Sequence, residues 1–173
     1  MRNVTYDFSS TQIDVPEKLA DNIISWGEKA IDDSEIFVSE TDPSFGRENE
    51  MHVTVLYGIH SEHSTKAKKS LKGVSPVKVK LGKVSAFTNP EKFDVVIIEV
   101  ISKDLEKLNR KLRNELPFTN KYDEYRPHVT IAYVKNGKGN DYKGVNEWEG
   151  KEFECDYIVF SSKNGTKEKI KLG

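Results

Sequence analysis

The chain has 173 residues, 36% apolar and 32% charged, enough to bury one sizeable core beneath a well-solvated surface. Lys plus Arg number 27 and Asp plus Glu 28, a balance that excludes wholesale wrapping of extended duplex nucleic acid but not a small nucleotide held by a few local groups. One cysteine, Cys155, excludes an internal disulfide; with no apolar h-region in "MRNVTYDFSS" and no run approaching ~20 apolar residues, the expectation is a cytosolic protein without a membrane span.

Helical periodicity begins at "DVPEKLADNIISWGEKAI", with Asp14 as N-cap, Pro16 in the first turn, and Leu19, Ile23, Ala30 and Ile31 on one face; Gly27 interrupts it. "EIFVSE" reads as a short strand and "TDPSFGRENE" as a turn-rich loop. The strand "HVTVLY" (52–57) follows, then a helix in "SEHSTKAKKSLKG" that ends at Gly73. "VKVKLGKV" alternates, with Val77, Val79 and Leu81 opposite Lys78 and Lys80, as a half-exposed strand does. "FDVVIIEVI" is apolar on both faces, a central strand. "DLEKLNRKLRNEL" carries Leu105, Leu108, Leu112 and Leu116 on one helical stripe. After "HVTIAYV" (128–134) come the loop "KNGKGNDYKG" and the strands "EFECDYIVFSS" and "KEKIKL", where Cys155 reads as an ordinary buried residue. Helix, strand and His-Thr strand recur in similar order. Residues 1–173 are therefore expected to form one α+β domain of two pseudo-symmetric lobes.

"HVTVLY" and "HVTIAY" are the same pattern placed twice, 76 positions apart. Alternate strand residues share a face about 7 Å apart. His52 and Thr54 therefore sit together, with Leu56, opposite Val53, Val55 and Tyr57; His128 and Thr130 sit opposite Val129, Ile131 and Tyr133. Two imidazoles and two hydroxyls converging on one cleft suit a phosphodiester. One neutral imidazole takes a proton from water or a ribose hydroxyl, and a protonated one delivers a proton to the leaving oxygen. Threonine hydroxyls donate to the nonbridging oxygens as their charge grows. Which histidine is base and which acid stays open, and the scheme needs no metal or other cofactor. A lone HxT is weak evidence, since a strand histidine is more often structural; two matched copies reverse that weighting.

"HVTVLYG" and "HVTIAYV" resemble the paired HxT/HxS signature of the 2H phosphoesterase superfamily, the 2′-5′ RNA ligase-like proteins. The wider frame "FSSTQIDVP … GRENEMHVTVLYG … EYRPHVTIAYV … FSSKNGTK" is similar to a branch associated with phage and prophage genomes, so the resemblance spans nearly the whole chain. It implies a bilobal fold with two antiparallel sheets around a central cleft and helices outside, and metal-independent cleavage of nucleotide phosphodiesters. By motif position it makes His52 and His128 the acid-base pair and Thr54 and Thr130 the phosphate ligands. Members cleave 2′,3′-cyclic phosphates, 2′-5′ linkages or cyclic oligonucleotides. Some phage members destroy the cyclic nucleotide messengers of bacterial CBASS immunity, which makes counter-defence in the host cytosol the leading expectation here.

Arg126, two before His128, reads as a phosphate or base contact or as a salt bridge at the strand's edge; Glu50, two before His52, as solvated or histidine-orienting. Tyr6, Phe8 and Trp148 are candidate base-stacking rings, although such rings more often serve as core or half-buried packing. Tyr57 and Tyr133 fall by parity on the core side. Lys135 and Lys138 read as solvated loop or as steering groups, and "HSEH" (60–63) lacks a third ligand for zinc. The expected partner is a cyclic nucleotide or short oligonucleotide bound by a monomer. An RNA-end enzyme is the alternative, and a non-catalytic phage assembly module the third reading.

Overall fold

The computed structural model describes residues 7–89 and 91–173. Its first strand, β1 (Ser9–Asp14), is not announced by periodicity: "SSTQID" is mostly polar, yet Ser9, Thr11, Gln12 and Ile13 are buried. Hydrogen bonds satisfy these groups. The Thr11 hydroxyl accepts from the Leu56 N–H at 3.1 Å and donates to the Leu56 carbonyl at 3.4 Å, and Ser9 Oγ accepts from the Lys163 N–H at 3.0 Å. Asp14 thus ends a strand rather than capping a helix. Helix α1 (Glu17–Ala30) starts after Pro16, whose carbonyl accepts from the Ala20 N–H at 2.8 Å.

The remaining elements are β2 (His52–Ile59), α2 (Thr65–Leu71), β3 (Val77–Thr88), β4 (Phe93–Ile101), α3 (Lys103–Glu115), β5 (His128–Lys135), β6 (Glu152–Cys155), β7 (Tyr157–Ser161) and β8 (Lys167–Lys171). Helix α3 follows its leucine stripe; Leu105, Leu108 and Leu112 are buried, and Ser102 Oγ caps it by accepting from the Leu105 N–H at 3.1 Å. "EIFVSE" is not a strand: a 3₁₀ turn at Asp33–Glu35 leads into an irregular segment that bridges to β5. "KNGKGNDYKG" contains a 3₁₀ turn, Lys138–Tyr142, tied down by Asp94, whose Oδ2 accepts from the N–H groups of Gly137 and Gly139 at 2.9 and 3.0 Å.

The fold is α+β. In place of two separate sheets there is one eight-stranded antiparallel sheet in the order β6-β3-β4-β5-β2-β1-β7-β8. It divides into two groups of four, each with a His-Thr strand at the inner edge, and these join through the single pair Val53↔Val129. Both valines are fully buried, so the seam is also core. Beyond the pair the strands part, and irregular segments take up each open edge. The Phe37 N–H donates to the Tyr133 carbonyl at 2.9 Å and the Glu48 N–H to the Ile131 carbonyl at 2.9 Å. On β2, the Thr119 N–H donates to the Gly58 carbonyl at 2.9 Å and the His60 N–H to the Pro117 carbonyl at 3.0 Å. Gly58 has φ +89° and lies so close to this segment that a Cβ would stand 2.0 Å from the Thr119 oxygen, so only glycine fits.

Helices α1 and α3 cover one face of the sheet. Gly27 lies inside α1 without breaking it because it lets the helix settle on β5: a Cβ there would meet Ile131 Cγ2 at 2.9 Å. From α3, Asn109 reaches the Val55 carbonyl at 2.7 Å. The helix-free face carries the histidines.

Candidate active site

The strand pair that joins the two halves builds the site. With Val53 opposite Val129 and pointing into the core, antiparallel register sets His52 across from Thr130 and Thr54 across from His128, all on the helix-free face. All four side chains are half-buried. Each ring is held in the same way. The Nδ1 of His52 donates to the Glu50 carbonyl and that of His128 to the Arg126 carbonyl, both at 2.8 Å. A carbonyl only accepts, so Nδ1 carries the hydrogen in both rings and Nε2 is the nitrogen that takes or delivers a catalytic proton. Glu50 orients His52 through its main chain; its carboxylate pairs instead with Lys167 at 2.7 Å, whose hydrogen bond and charge hold it below the usual carboxylate range.

Neither His-Thr strand keeps simple alternation. Thr54 pairs with Gln12 and Leu56 with Thr11, which leaves Val55 as an extra residue; on β5, Thr130 pairs with Ile97 and Ala132 with Val96, which leaves Ile131 extra. Both strands bulge one residue after the threonine. The bulge reverses parity beyond it. Leu56 goes to the core, 2% exposed, whereas Tyr57 is 46% exposed and shares the histidine face; Tyr133 is half-buried on the corresponding side of its strand. The expectation that both tyrosines pack in the core fails for that reason. A tyrosine at the same offset in both motifs was the available signal.

The surroundings of the two histidines differ. The rings of His128 and Phe87 meet nearly perpendicular at a centroid distance of 4.8 Å, and the Arg126 guanidinium lies over the Phe87 ring at 5.2 Å. Burial keeps the His128 imidazole below its usual pKa, against the hydrogen bond to Arg126, and the positive charges of His52 and Arg126 add to the effect. Beside these groups a cavity of about 200 Å³ opens between Phe87, Ile97, Glu99 and Arg126. Cross-strand pairing sets Glu99 against His128 and Asp14 against His52. Asp14 is engaged: Gln12 Nε2 donates to its Oδ1 at 3.2 Å and the Tyr157 hydroxyl to its Oδ2 at 3.2 Å.

Of the aromatic candidates, Phe8 lies at the Tyr57 end of β2, stacked on His60 at 5.7 Å and edge-on to Tyr57 at 6.2 Å. Trp148 is not a base platform; it is 6% exposed and packs edge-on against Trp26 at 6.2 Å, because the chain after the 3₁₀ turn folds back over the core. Tyr6 lies outside the described residues. Tyr133 belongs to a cluster with Phe37, Phe45 and Phe93. Lys135 and Lys138 are exposed, and Cys155 is buried, its thiol pushed up chiefly by that burial.

The model for the 2′-5′ RNA ligase superfamily matches residues 26–166, a span that contains both His-Thr strands. The chain belongs to that superfamily. A search of curated protein sequences finds no match. Among solved structures, TT0787 of Thermus thermophilus is similar with a TM-score of 0.62 at 13% identity, over 95% of this chain and 97% of that one. Usb1 of Kluyveromyces marxianus has a TM-score of 0.59 at 10% identity, over 96% and 98%. LigT of E. coli, complexed with 3′-AMP, has a TM-score of 0.57 at 15% identity, over 96% and 95%. At such identities the likeness carries the superfamily's fold, end to end, and the chemistry has to be argued from the residues.

Proposed function

We propose that this superfamily member is a phosphodiesterase that cleaves small nucleotide phosphodiesters, cyclic mono- or oligonucleotides first among them, with His52 and His128 as the acid-base pair. The observation that carries the reading is the seam at Val53↔Val129, which brings together two histidines with identically fixed rings and a threonine across from each. His128, whose burial favours the neutral ring, is the base. It takes the proton from the attacking water or ribose hydroxyl, whose oxygen forms the new bond to phosphorus. His52, protonated, gives its proton to the oxygen whose bond to phosphorus breaks; this leaves His128 protonated and His52 neutral, and proton exchange with water restores both for the next turnover. Thr54 and Thr130 donate to the nonbridging oxygens, whose negative charge grows in the pentacoordinate state.

The near-zero net charge supports a small substrate over a long RNA. The biological role that fits is removal of cyclic nucleotide messengers, in phage counter-defence within the host cytosol. Opening of 2′,3′-cyclic phosphates at RNA ends is the second reading, favoured by the superfamily and by a relative that holds 3′-AMP.

The test is incubation, with excess EDTA, against cyclic dinucleotides, cyclic trinucleotides and 2′,3′-cyclic mononucleotides, beside His52→Ala and His128→Ala. Cleavage of cyclic oligonucleotides that both variants lose is the expected result. Opening of the mononucleotides alone would move the function to RNA ends. Activity that survives either substitution would remove the acid-base assignment.

A further inference from the structure

We propose that the cavity beside His128 is a nucleobase subsite that selects guanine, with Phe87 presenting a ring to the base and Glu99 reading its edge. This rests on the phosphodiesterase reading for its context, since the subsite is placed by the strand register that sets it beside the catalytic histidine.

The position follows from register. Glu99 is the residue of β4 directly across from His128, and Ile97 is directly across from Thr130, so the cavity they line begins one strand away from the reacting groups. Its floor is apolar. Ile97 is 2% exposed yet lies on the histidine face rather than in the main core, and Ile101, 61% exposed, forms the rim. Phe87 supplies an aromatic wall and Arg126 a cation stacked on that wall.

The one carboxylate decides what enters. A phosphate beside Glu99 would meet like charge and be repelled. The scissile phosphate therefore belongs on the threonine side, and the cavity takes an uncharged group with apolar faces and a donor-bearing edge. That description is a nucleobase. Among the bases, guanine alone offers two parallel N–H donors on its Watson–Crick edge, which a carboxylate accepts with both oxygens, while its O6 and N7 accept from an arginine. Adenine, cytosine and uracil each leave a carboxylate oxygen unmatched.

The other half of the sheet has the same carboxylate position but not the same availability. Asp14, across from His52, is engaged by Gln12 and Tyr157. Among the described residues Glu99 takes part in none of the ion pairs. Selection is thus expected at one base only, on the His128 side.

Calorimetric titration of 3′-GMP, 3′-AMP, 3′-CMP and 3′-UMP into the wild-type protein, Glu99→Gln and Phe87→Leu tests this. The wild type should bind 3′-GMP at least ~10-fold more tightly than the other three, a difference the size of one bidentate base contact. Glu99→Gln, an exposed and near-isosteric change, should remove that preference while leaving 3′-AMP affinity within about twofold, because only guanine uses both oxygens. Phe87→Leu should weaken all four ligands by about tenfold through lost stacking. Equal wild-type affinities, a preference that survives Glu99→Gln, or no binding at ~10 mM would each overturn the subsite. Turnover of 2′,3′-cyclic mononucleotides measured on the same samples separates the two ideas. Turnover without base preference sinks the subsite alone, whereas a guanine preference without turnover of any phosphodiester sinks the catalytic reading and leaves the subsite.

Discussion

The two halves of the sheet share one plan and diverge in what surrounds the plan. Each supplies a histidine whose Nδ1 is fixed by the carbonyl two residues earlier, a threonine on the same face, a bulge after that threonine and a carboxylate on the neighbouring strand. On the His128 side the ring is desolvated against Phe87, and the carboxylate lines an open cavity. On the His52 side the carboxylate is tied to Gln12 and Tyr157, and Lys167 neutralises Glu50 nearby. Repeated local geometry supplies two groups that can both move protons. Phe87 and Arg126, packed beside His128, favour its neutral ring and so suit it to the base's work, as a mechanism that needs one base and one acid requires.

The largest effects should come from the histidines themselves. His128→Ala and His52→Ala should each lower kcat by about 10³ or more, and the double variant should lose little beyond either single one, because the two act as a unit. Additive losses would show that the halves work independently and would break the shared-site picture. The pH profile sharpens the division of labour. A depressed His128 pKa keeps the base deprotonated to below the usual imidazole value of 6.5, so the acid limb of kcat/KM should lie below that value and fall only as His128 becomes protonated. Phe87→Leu, which opens the ring to water, should move that limb upward. An acid limb that stays in place would mean that His128 is not the base.

Thr54→Val and Thr130→Val keep shape and remove a hydroxyl. Each should lower kcat by about 10² with KM for substrate changed much less, since the hydrogen bond gains most as the nonbridging oxygens become more negative. A loss confined to KM would assign the hydroxyls to ground-state binding.

Much of this arrangement is legible in the residues and some is not, for physical reasons. The two His-Thr strands, α3 and the alternating β3 follow from apolar periodicity because packing decides them. β1 escapes because its buried residues are Ser, Thr and Gln, which the fold accepts only through hydrogen bonds to distant partners such as Leu56 and Lys163. The faces of Tyr57 and Tyr133 escape because a bulge is a property of strand pairing, and one unpaired residue reverses the alternation beyond it. Glu99 becomes a candidate only when β4 is set beside β5 in a known register. Trp148 shows the converse error, a large ring near a loop that the core has claimed.

The bulges give the next comparison, since each leaves a carbonyl outside the ladder. On β5 the Ile131 carbonyl accepts from the main-chain N–H of Glu48, a bond that no side-chain substitution removes. On β2 the Val55 carbonyl depends on the Asn109 side chain, itself 4% exposed. Asn109→Ala should therefore destabilise the protein by about 1–3 kcal/mol, the cost of an unsatisfied buried acceptor. Urea unfolding followed by circular dichroism measures it. Unchanged stability would mean that the β2 bulge relaxes without its partner and that the two bulges are not held alike.

The smallest effect separates helix propensity from packing at the other bulge. Gly27→Ala relieves a helix-interior glycine in α1, a gain of about 1 kcal/mol. Against that, the new Cβ would stand 2.9 Å from Ile131 Cγ2, too close for either atom to stay, and Ile131 is itself the extra residue of the β5 bulge. Overpacking of this kind costs about 1–3 kcal/mol, so the net change should be a loss of up to about 2 kcal/mol in the same unfolding assay. Pressure on Ile131 also reaches Thr130, the next residue, so kcat should fall a few-fold while Asn109→Ala acts instead through Val55 and Thr54. A more stable and fully active Gly27→Ala protein would mean that α1 slides off β5 freely, and that the bulge beneath it needs no helix to hold it in place.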